Sequence, residues 1–183
     1  METRRLQVLL DLSRRVTVID GKTRKGLLPR FGMPETVGNE VTRKRLGLIG
    51  SGSVARHVAQ ICRDGFHMDI CCHSTHRSDA ELQRLGFTPM SLHDLFASCD
   101  YVSLHCLLTP ETYHLVDRRC FEVCAPGLIL LNTARGGLVD ERALYEALTS
   151  GRLAAAGLDV FEKQPPSADD PLLSLENFLA GMH

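Results

Sequence analysis

Three stretches of this sequence carry residue types at spacings that suit chemistry. The first is Arg45-Leu-Gly-Leu-Ile-Gly-Ser-Gly-Ser-Val-Ala-Arg56. An apolar run, Leu46 to Ile49, feeds a turn at Gly50 and Gly52, and a helical pattern follows with Val54, Val58, Ala59, Ile61 and Cys62 on one face. In a strand–turn–helix of this kind Gly50 permits the tight turn. Gly52 lets a pyrophosphate approach the backbone, and Ala55 is small enough for helix and strand to pack closely. The first helical residues, Ser53 and Val54, offer unpaired N–H groups and the positive end of the helix dipole to phosphates. That chemistry is dinucleotide binding; a glycine turn in another α/β protein is the plain alternative.

The second stretch is Leu130-Leu-Asn-Thr-Ala-Arg-Gly-Gly-Leu-Val-Asp-Glu141. It follows an apolar strand pattern, and ligands of open α/β sheets bind at the carboxyl ends of strands. Arg135 is there a fixed cation followed by two glycines. It reads either as a bidentate clamp for a substrate carboxylate or as a surface arginine paired with Asp140 or Glu141. The third stretch, Cys71-Cys-His-Ser-Thr-His-Arg77, has the composition of a metal site. Adjacent residues of a strand point to opposite faces, so Cys71 and Cys72 are poor co-ligands and no metal is expected. Cys120 and Cys124, one helical turn apart, read as core or half-buried thiols.

The elements that must position these groups alternate along the chain. Residues 3–16 read as an amphipathic helix with Leu6, Leu9 and Leu10 on one side, and residues 20–40 as a glycine- and proline-punctuated loop. The helix after the glycine turn should end near Gly65. Strand patterns follow at 67–72, 87–90, 101–107, 128–131 and 153–160. Helices are signalled between them by the Ser78-Asp-Ala-Glu81 capping box, by Ser91, by Thr109-Pro110 and by Asp140, with stops at Gly86 and Gly151. Strands alternating with helices imply a parallel sheet covered on both faces, an α/β doubly wound architecture. Residues 1–44 form a leading helix and connecting loop, and residues 45–183 the main domain.

Composition narrows the classes. The 183 residues carry a net charge of −1 and are 44% hydrophobic, enough for one domain with a real core. No apolar run is long enough to cross a membrane, so no membrane partner is expected. The N-terminus is arginine-rich without an apolar signal core, and Glu2 and Asp11 weigh against a mitochondrial presequence. Seven scattered cysteines with no C-x-x-C suit reduced thiols in a cytoplasmic protein. Residues 1–45 hold eleven Lys and Arg against five Asp and Glu. With no recognition motif and few aromatics, that basic segment reads as a solvated or interface surface, and no nucleic acid is expected.

The whole chain resembles the nucleotide-binding domain of the D-isomer-specific 2-hydroxyacid dehydrogenases, the family of phosphoglycerate dehydrogenase and glyoxylate/hydroxypyruvate reductase. Four blocks match in order: Gly47 to Ala55, Leu104-His-Cys-Leu-Leu-Thr-Pro-Glu-Thr112, Asn132-Thr-Ala-Arg-Gly-Gly-Leu-Val-Asp140, and Ala156-Gly-Leu-Asp-Val-Phe161. The resemblance implies a Rossmann-type fold and reversible hydride transfer between a nicotinamide and C2 of a 2-hydroxy or 2-keto acid. It also implies cofactor contacts from Cys106, Thr112, Thr133, Ala134, Arg135 and Asp159. The family's catalytic Arg, Glu and His fall on Arg135, Gln164 and His183.

Here the sequence departs from the family. Gln164 can hydrogen-bond an imidazole but cannot stabilise an imidazolium by charge, which lowers the histidine's pKa and weakens catalysis. Glu162, two residues away, is the carboxylate that could serve instead if the loop shifts. Met182 replaces the proline before His183, and Leu107 replaces a proline in the turn beside the nicotinamide. The acidic residue that normally holds the adenosine ribose aligns with Cys72. Without a carboxylate, His73, Ser74, Thr75 and Arg77 are candidates to hold a 2′-phosphate, so NADP is expected ahead of NAD.

Family members also carry a substrate domain, which this stretch nearly lacks, and commonly dimerise through their nucleotide domains. The resemblance therefore implies a homodimer, and a chain inactive by itself. The alternatives are a nucleotide-binding pseudo-enzyme, a redox-sensing protein like the family's corepressor branch, and a fragment that folds poorly.

Overall fold

The computed structural model describes residues 2–27 and 38–181. It opens with two helices, α1 (Glu2–Arg14) and α2 (Val16–Arg24), separated by Arg15 in the left-handed region at φ 54°. Six units of strand and connection follow. They are β1 (Arg45–Ile49), α3 (Ser53–Phe66), β2 (Asp69–His73), α4 (Asp79–Arg84), β3 (Thr88–Pro89), α5 (Leu92–Ser98), β4 (Tyr101–Leu104), α6 (Arg118–Glu122), β5 (Ile129–Asn132), α7 (Glu141–Thr149) and β6 (Ala155–Leu158). A last short strand, β7 (Phe178–Ala180), closes the edge. The sheet runs β3-β2-β1-β4-β5-β6-β7 and every pairing is parallel. The strand order reverses between β1 and β4, which makes their carboxyl ends the switch point of a Rossmann sheet.

Strand alternation builds two cores. Leu46, Leu48, Ile70, Cys72, Ile129 and Leu131 face α1 and α3, while Ile49, Cys71, Val102, Leu104, Leu130 and Leu158 face α5, α6 and α7. Burying each large aliphatic side chain contributes about 1.5–3 kcal/mol. Cys71 and Cys72 thus lie in opposite cores, as strand geometry requires. The capping box at Ser78 and Glu81 forms, Ser91 and Asp140 cap α5 and α7, and Gly86 and Gly151 adopt positive φ just beyond α4 and α7.

Three expectations fail locally, and one short strand carries no sequence signal. The loop over 20–40 begins as helix α2, which contains Gly21. There the Thr17 N–H donates to Asp11 Oδ1 at 2.8 Å, and Arg24 pairs with Asp20 one turn away at 2.7 Å. These contacts tie α2 to α1 and brace its last turn, against the roughly 1 kcal/mol cost of a helical glycine. Residues 28–37 of that loop lie outside the described residues. Helix α3 runs through Gly65, and His67 takes the left-handed position at φ 53° instead. Thr109-Pro110 starts only a turn, because His114, at φ 50°, sends its N–H to the Gly137 carbonyl at 2.8 Å. Val116 then bridges to Val139, and the helix starts later, at Arg118 behind the Asp117 cap. Finally, β7 has too few residues for alternation to be legible.

Helix α1 lies across β6 at Gly157, where a Cβ would stand 2.4 Å from Val8 Cγ1 and 3.0 Å from Leu12 Cδ1. This contact delivers Arg4 and Arg5 to the carboxyl side of the sheet. Gly157→Val should therefore lower stability by about 1–3 kcal/mol in urea unfolding. A change below about 0.5 kcal/mol would mean that α1 is not seated as described.

Candidate functional site

The site is built at the switch point. Gly50 has φ 105°, and a Cβ there would stand 2.9 Å from the His105 carbonyl, so only glycine lets the turn after β1 close against the end of β4. No side chain caps α3 at Gly52, and its first turn carries no acidic residue. Its first N–H groups therefore keep their capacity for an anion. Ala55 is fully buried under the turn, as close helix–strand packing requires.

Two adjoining cavities open there. One, about 280 Å³, lies between the Gly50–Gly52 turn, residues His73–Arg77 and the turn holding Thr109 and Thr112. The other, about 270 Å³, is lined by Arg4, Arg5, Val54, Thr133–Arg135 and Asp159. Both are walled by His105, Cys106 and Leu107, so they form two halves of one cleft. A further cavity of about 460 Å³ sits at the amino ends of β5 and β6, by Ile129 and Ala154, on the far side from the switch point.

In the first half, Cys72 does not line the cleft. It is fully buried, its thiol 3.6 Å from the Gly50 carbonyl and pushed up to about 12 by burial. β2 ends at His73, one residue beyond the 67–72 strand pattern. Ser74 is therefore the residue at the mouth on that side, its hydroxyl 3.3 Å from that of Ser51. The His73 ring is held by the Met90 carbonyl, 3.2 Å from Nδ1, while Thr75, His76 and Arg77 are exposed. Thr112 acts within the turn. Its hydroxyl accepts the Thr109 N–H at 2.8 Å and donates to the Leu107 carbonyl at 2.7 Å, bracing a turn that lacks its proline.

In the second half, buried Asn132 locks the arginine loop. It accepts the Ala134 N–H at 3.0 Å and donates to the Arg135 carbonyl at 2.8 Å. A Cβ on Gly136 would fall 2.0 Å from the Phe161 carbonyl, so this glycine lets the loop rest on the 161–164 segment. Arg135 is exposed, with Nη1 on the Ala134 carbonyl at 2.7 Å. The surface-pair alternative does not occur. Asp140 instead caps α7, and Glu141 accepts the Glu162 N–H at 2.7 Å. Asp159 is buried and paired with Arg4 at 2.8 Å.

Of the remaining predicted residues, Gln164 is exposed on the loop after Phe161. The Glu162 carboxylate is engaged by the Tyr113 hydroxyl and lies 3.5 Å from His114 Nε2 in this loop conformation. His183 and Met182 lie outside the described residues.

Sequence reasoning missed His105 and the α1 arginines. Both ring nitrogens of His105, and the Thr133 hydroxyl, are buried with no hydrogen-bond partner among the described residues. Burial, helped by the nearby Arg5 guanidinium, pushes the imidazole down to about 3. The signals were present: a histidine closing an apolar strand run, and a cation at position 5, one helical turn before Leu9 on the apolar face of α1. Arg5 is only 7% exposed.

Relatives agree on this architecture. The family profile described as D-isomer specific 2-hydroxyacid dehydrogenase, NAD binding domain, matches residues 6–183. The chain belongs to this family. It is 36% identical to a D-3-phosphoglycerate dehydrogenase of Archaeoglobus fulgidus over 97% of its own length and 33% of that protein. It is 38% identical to a glyoxylate reductase of Korarchaeum cryptofilum over 96% of this chain and 53% of that one. A Thermus thermophilus structure superposes with TM-score 0.90 at 36% identity, covering 100% of this chain and 56% of that one. An acyclic imino acid reductase in complex with NADPH and D-Arg superposes with TM-score 0.87 at 27% identity, covering 98% and 55%. The chain thus spans between a third and just over half the length of these relatives. Within this NAD binding domain the orphaned polar atoms of His105 and Thr133 fit a cofactor that carries its own donors and acceptors.

The depressed His105 pKa sets a pH dependence. The unfolded chain takes up this proton near 6.5, the folded chain only near 3. The stability this group confers is complete above pH 6.5 and is lost as pH falls through that window, at about 1.4 kcal/mol per pH unit. Urea unfolding between pH 6.5 and 5 should show that slope, and His105→Asn should flatten it. An equal slope in both proteins would contradict the assignment.

Proposed function

We propose that this chain is the NAD(P)-binding half of an oxidoreductase acting on a 2-hydroxy or 2-oxo acid, with NADP preferred. The reading is carried by one observation: two half-cavities meet at the switch point, one roofed by an uncapped helix N-terminus and the other edged by Arg135, which has no carboxylate partner among the described residues. The α3 N–H groups and the Gly50–Gly52 backbone would hold the diphosphate. Ser74 and Arg77, in a loop with no carboxylate between Cys71 and Arg77, would hold a 2′-phosphate.

On the other side, Thr133, Ala134, Cys106 and Asp159 would surround the nicotinamide. The cofactor supplies reversible hydride transfer to and from C2 of the acid. Arg135 would bind the acid's carboxylate and draw electron density from its 2-oxo group. His183 would move the hydroxyl proton, oriented by Gln164. A carboxamide there positions an imidazole without stabilising its cation, so proton transfer is weaker than with a carboxylate. Exclusion of water from the open cleft would fall to the rest of a longer protein.

The experiment is calorimetric titration with NADPH and, separately, NADH. NADPH should bind at least tenfold more tightly than NADH, and Arg77→Ala should weaken NADPH by roughly tenfold while leaving NADH unchanged. Preference for NADH would overturn the 2′-phosphate reading and keep the cleft. Binding of neither would overturn both.

A further inference from the structure

We propose that His105 binds the hydroxyls of the cofactor's nicotinamide-side ribose, and so selects a complete dinucleotide over a nucleotide that ends at its phosphates. The inference rests on the reading above, that the cofactor lies along the cleft from the Gly50 turn to the ends of β5 and β6. His105 follows directly on β4 and lines both half-cavities, so it stands where they join. Both of its ring nitrogens are buried without a hydrogen-bond partner among the described residues. Such a group is costly to leave unpaired, and a ligand that bonds it gains affinity for that reason. The backbone beneath the ring is fixed: the His105 N–H donates to the Ile49 carbonyl at 2.8 Å, and the His105 carbonyl lies against the Gly50 turn. A half-turn of the ring about its Cβ–Cγ bond exchanges nitrogen and carbon positions, so the ring can meet a ligand while this backbone stays in place.

Two constraints name the group. The first is protonation. Burial pushes the imidazole down to about 3, so it is neutral at working pH. One nitrogen then donates and the other accepts. A diphosphate offers acceptors alone and cannot satisfy both. A pair of ribose hydroxyls can, because each hydroxyl both donates and accepts. The second constraint is order along the sheet. β1, β4, β5 and β6 are neighbours in that sequence, about 4.8 Å apart. The diphosphate would rest at the turn after β1, and the nicotinamide by Thr133 and Asp159, after β5 and β6. The part of the cofactor between these two is the ribose, and the strand between them is β4. The nicotinamide carboxamide is also both donor and acceptor, but it lies on the far side of its ring from the ribose.

The test is calorimetry on the chain with three ligands: NADPH, 2′-phospho-ADP-ribose, which keeps the ribose but lacks the nicotinamide, and 2′,5′-ADP, which lacks both. His105→Leu should weaken the first two by a common factor on the order of tenfold and leave 2′,5′-ADP unchanged. A second measurement needs no variant: in NMR of the unaltered chain, the His105 ring nitrogens should shift with 2′-phospho-ADP-ribose and stay in place with 2′,5′-ADP. A loss confined to NADPH would put His105 on the nicotinamide instead and overturn the inference. Equal weakening of all three ligands, weakening of none, or ring nitrogens that 2′-phospho-ADP-ribose does not move would overturn it too, with the cleft assignment intact. Failure of all three to bind the unaltered chain would overturn the cleft assignment as well. If the chain selects NADH, the same comparison applies with NADH, ADP-ribose and AMP.

Discussion

The approach of the Gly50 turn to the end of β4 is the contact on which the rest of the site depends. A Cβ at Gly50 would stand 2.9 Å from the His105 carbonyl, a distance that real side chains do not tolerate. With glycine there, β1 and β4 pair directly and in parallel, and the connections leave in opposite directions. A crevice opens at that point in any sheet of this order. Here the crevice is floored by the backbone of residues 50–52 and walled by His105, Cys106 and Leu107. The chemistry on either side is hung from this one close contact.

A second close approach couples the loops of the reacting side. Gly136 lies against the Phe161 carbonyl, and the Glu162 N–H bonds Glu141 at the start of α7. The segment carrying Gln164 is thereby tied to the loop carrying Arg135. The Tyr113 ring stacks on His114 at 4.0 Å and bonds Glu162, which adds the turn after β4 to the same assembly. Three loops from three strands are thus held by backbone contact and by two carboxylates, those of Glu141 and Glu162. Their positions are fixed without help from the exposed arginine they present.

Much of this was legible in the sequence because it rests on local rules. Glycine spacing, capping residues and apolar runs placed β1, α3, α4, α5, α7 and their order, and the family resemblance located Arg135 and Gln164. What was not legible depends on tertiary contact. Helix α2 contains a glycine and is braced by bonds to the Asp11 and Asp20 side chains. Ser74 rather than Cys72 edges the cleft because Cys72 turns into the core and β2 runs on to His73. Arg5 and His105 meet because α1 crosses β6 at Gly157, a packing that neither residue's neighbours announce. The lining of the reacting half was hidden in part for the same reason, since Arg4 and Arg5 reach it from α1.

The central claim is that one cleft at the switch point holds the whole cofactor. An NMR titration of the chain with NADPH, following assigned backbone amides, tests it most directly. The account predicts shifts concentrated at residues 50–55, 73–77, 105–107 and 133–135, all moving with one affinity. Shifts centred instead on Asp11, Ile129, Ala154 and Phe178, around the cavity at the amino ends of the strands, would contradict it.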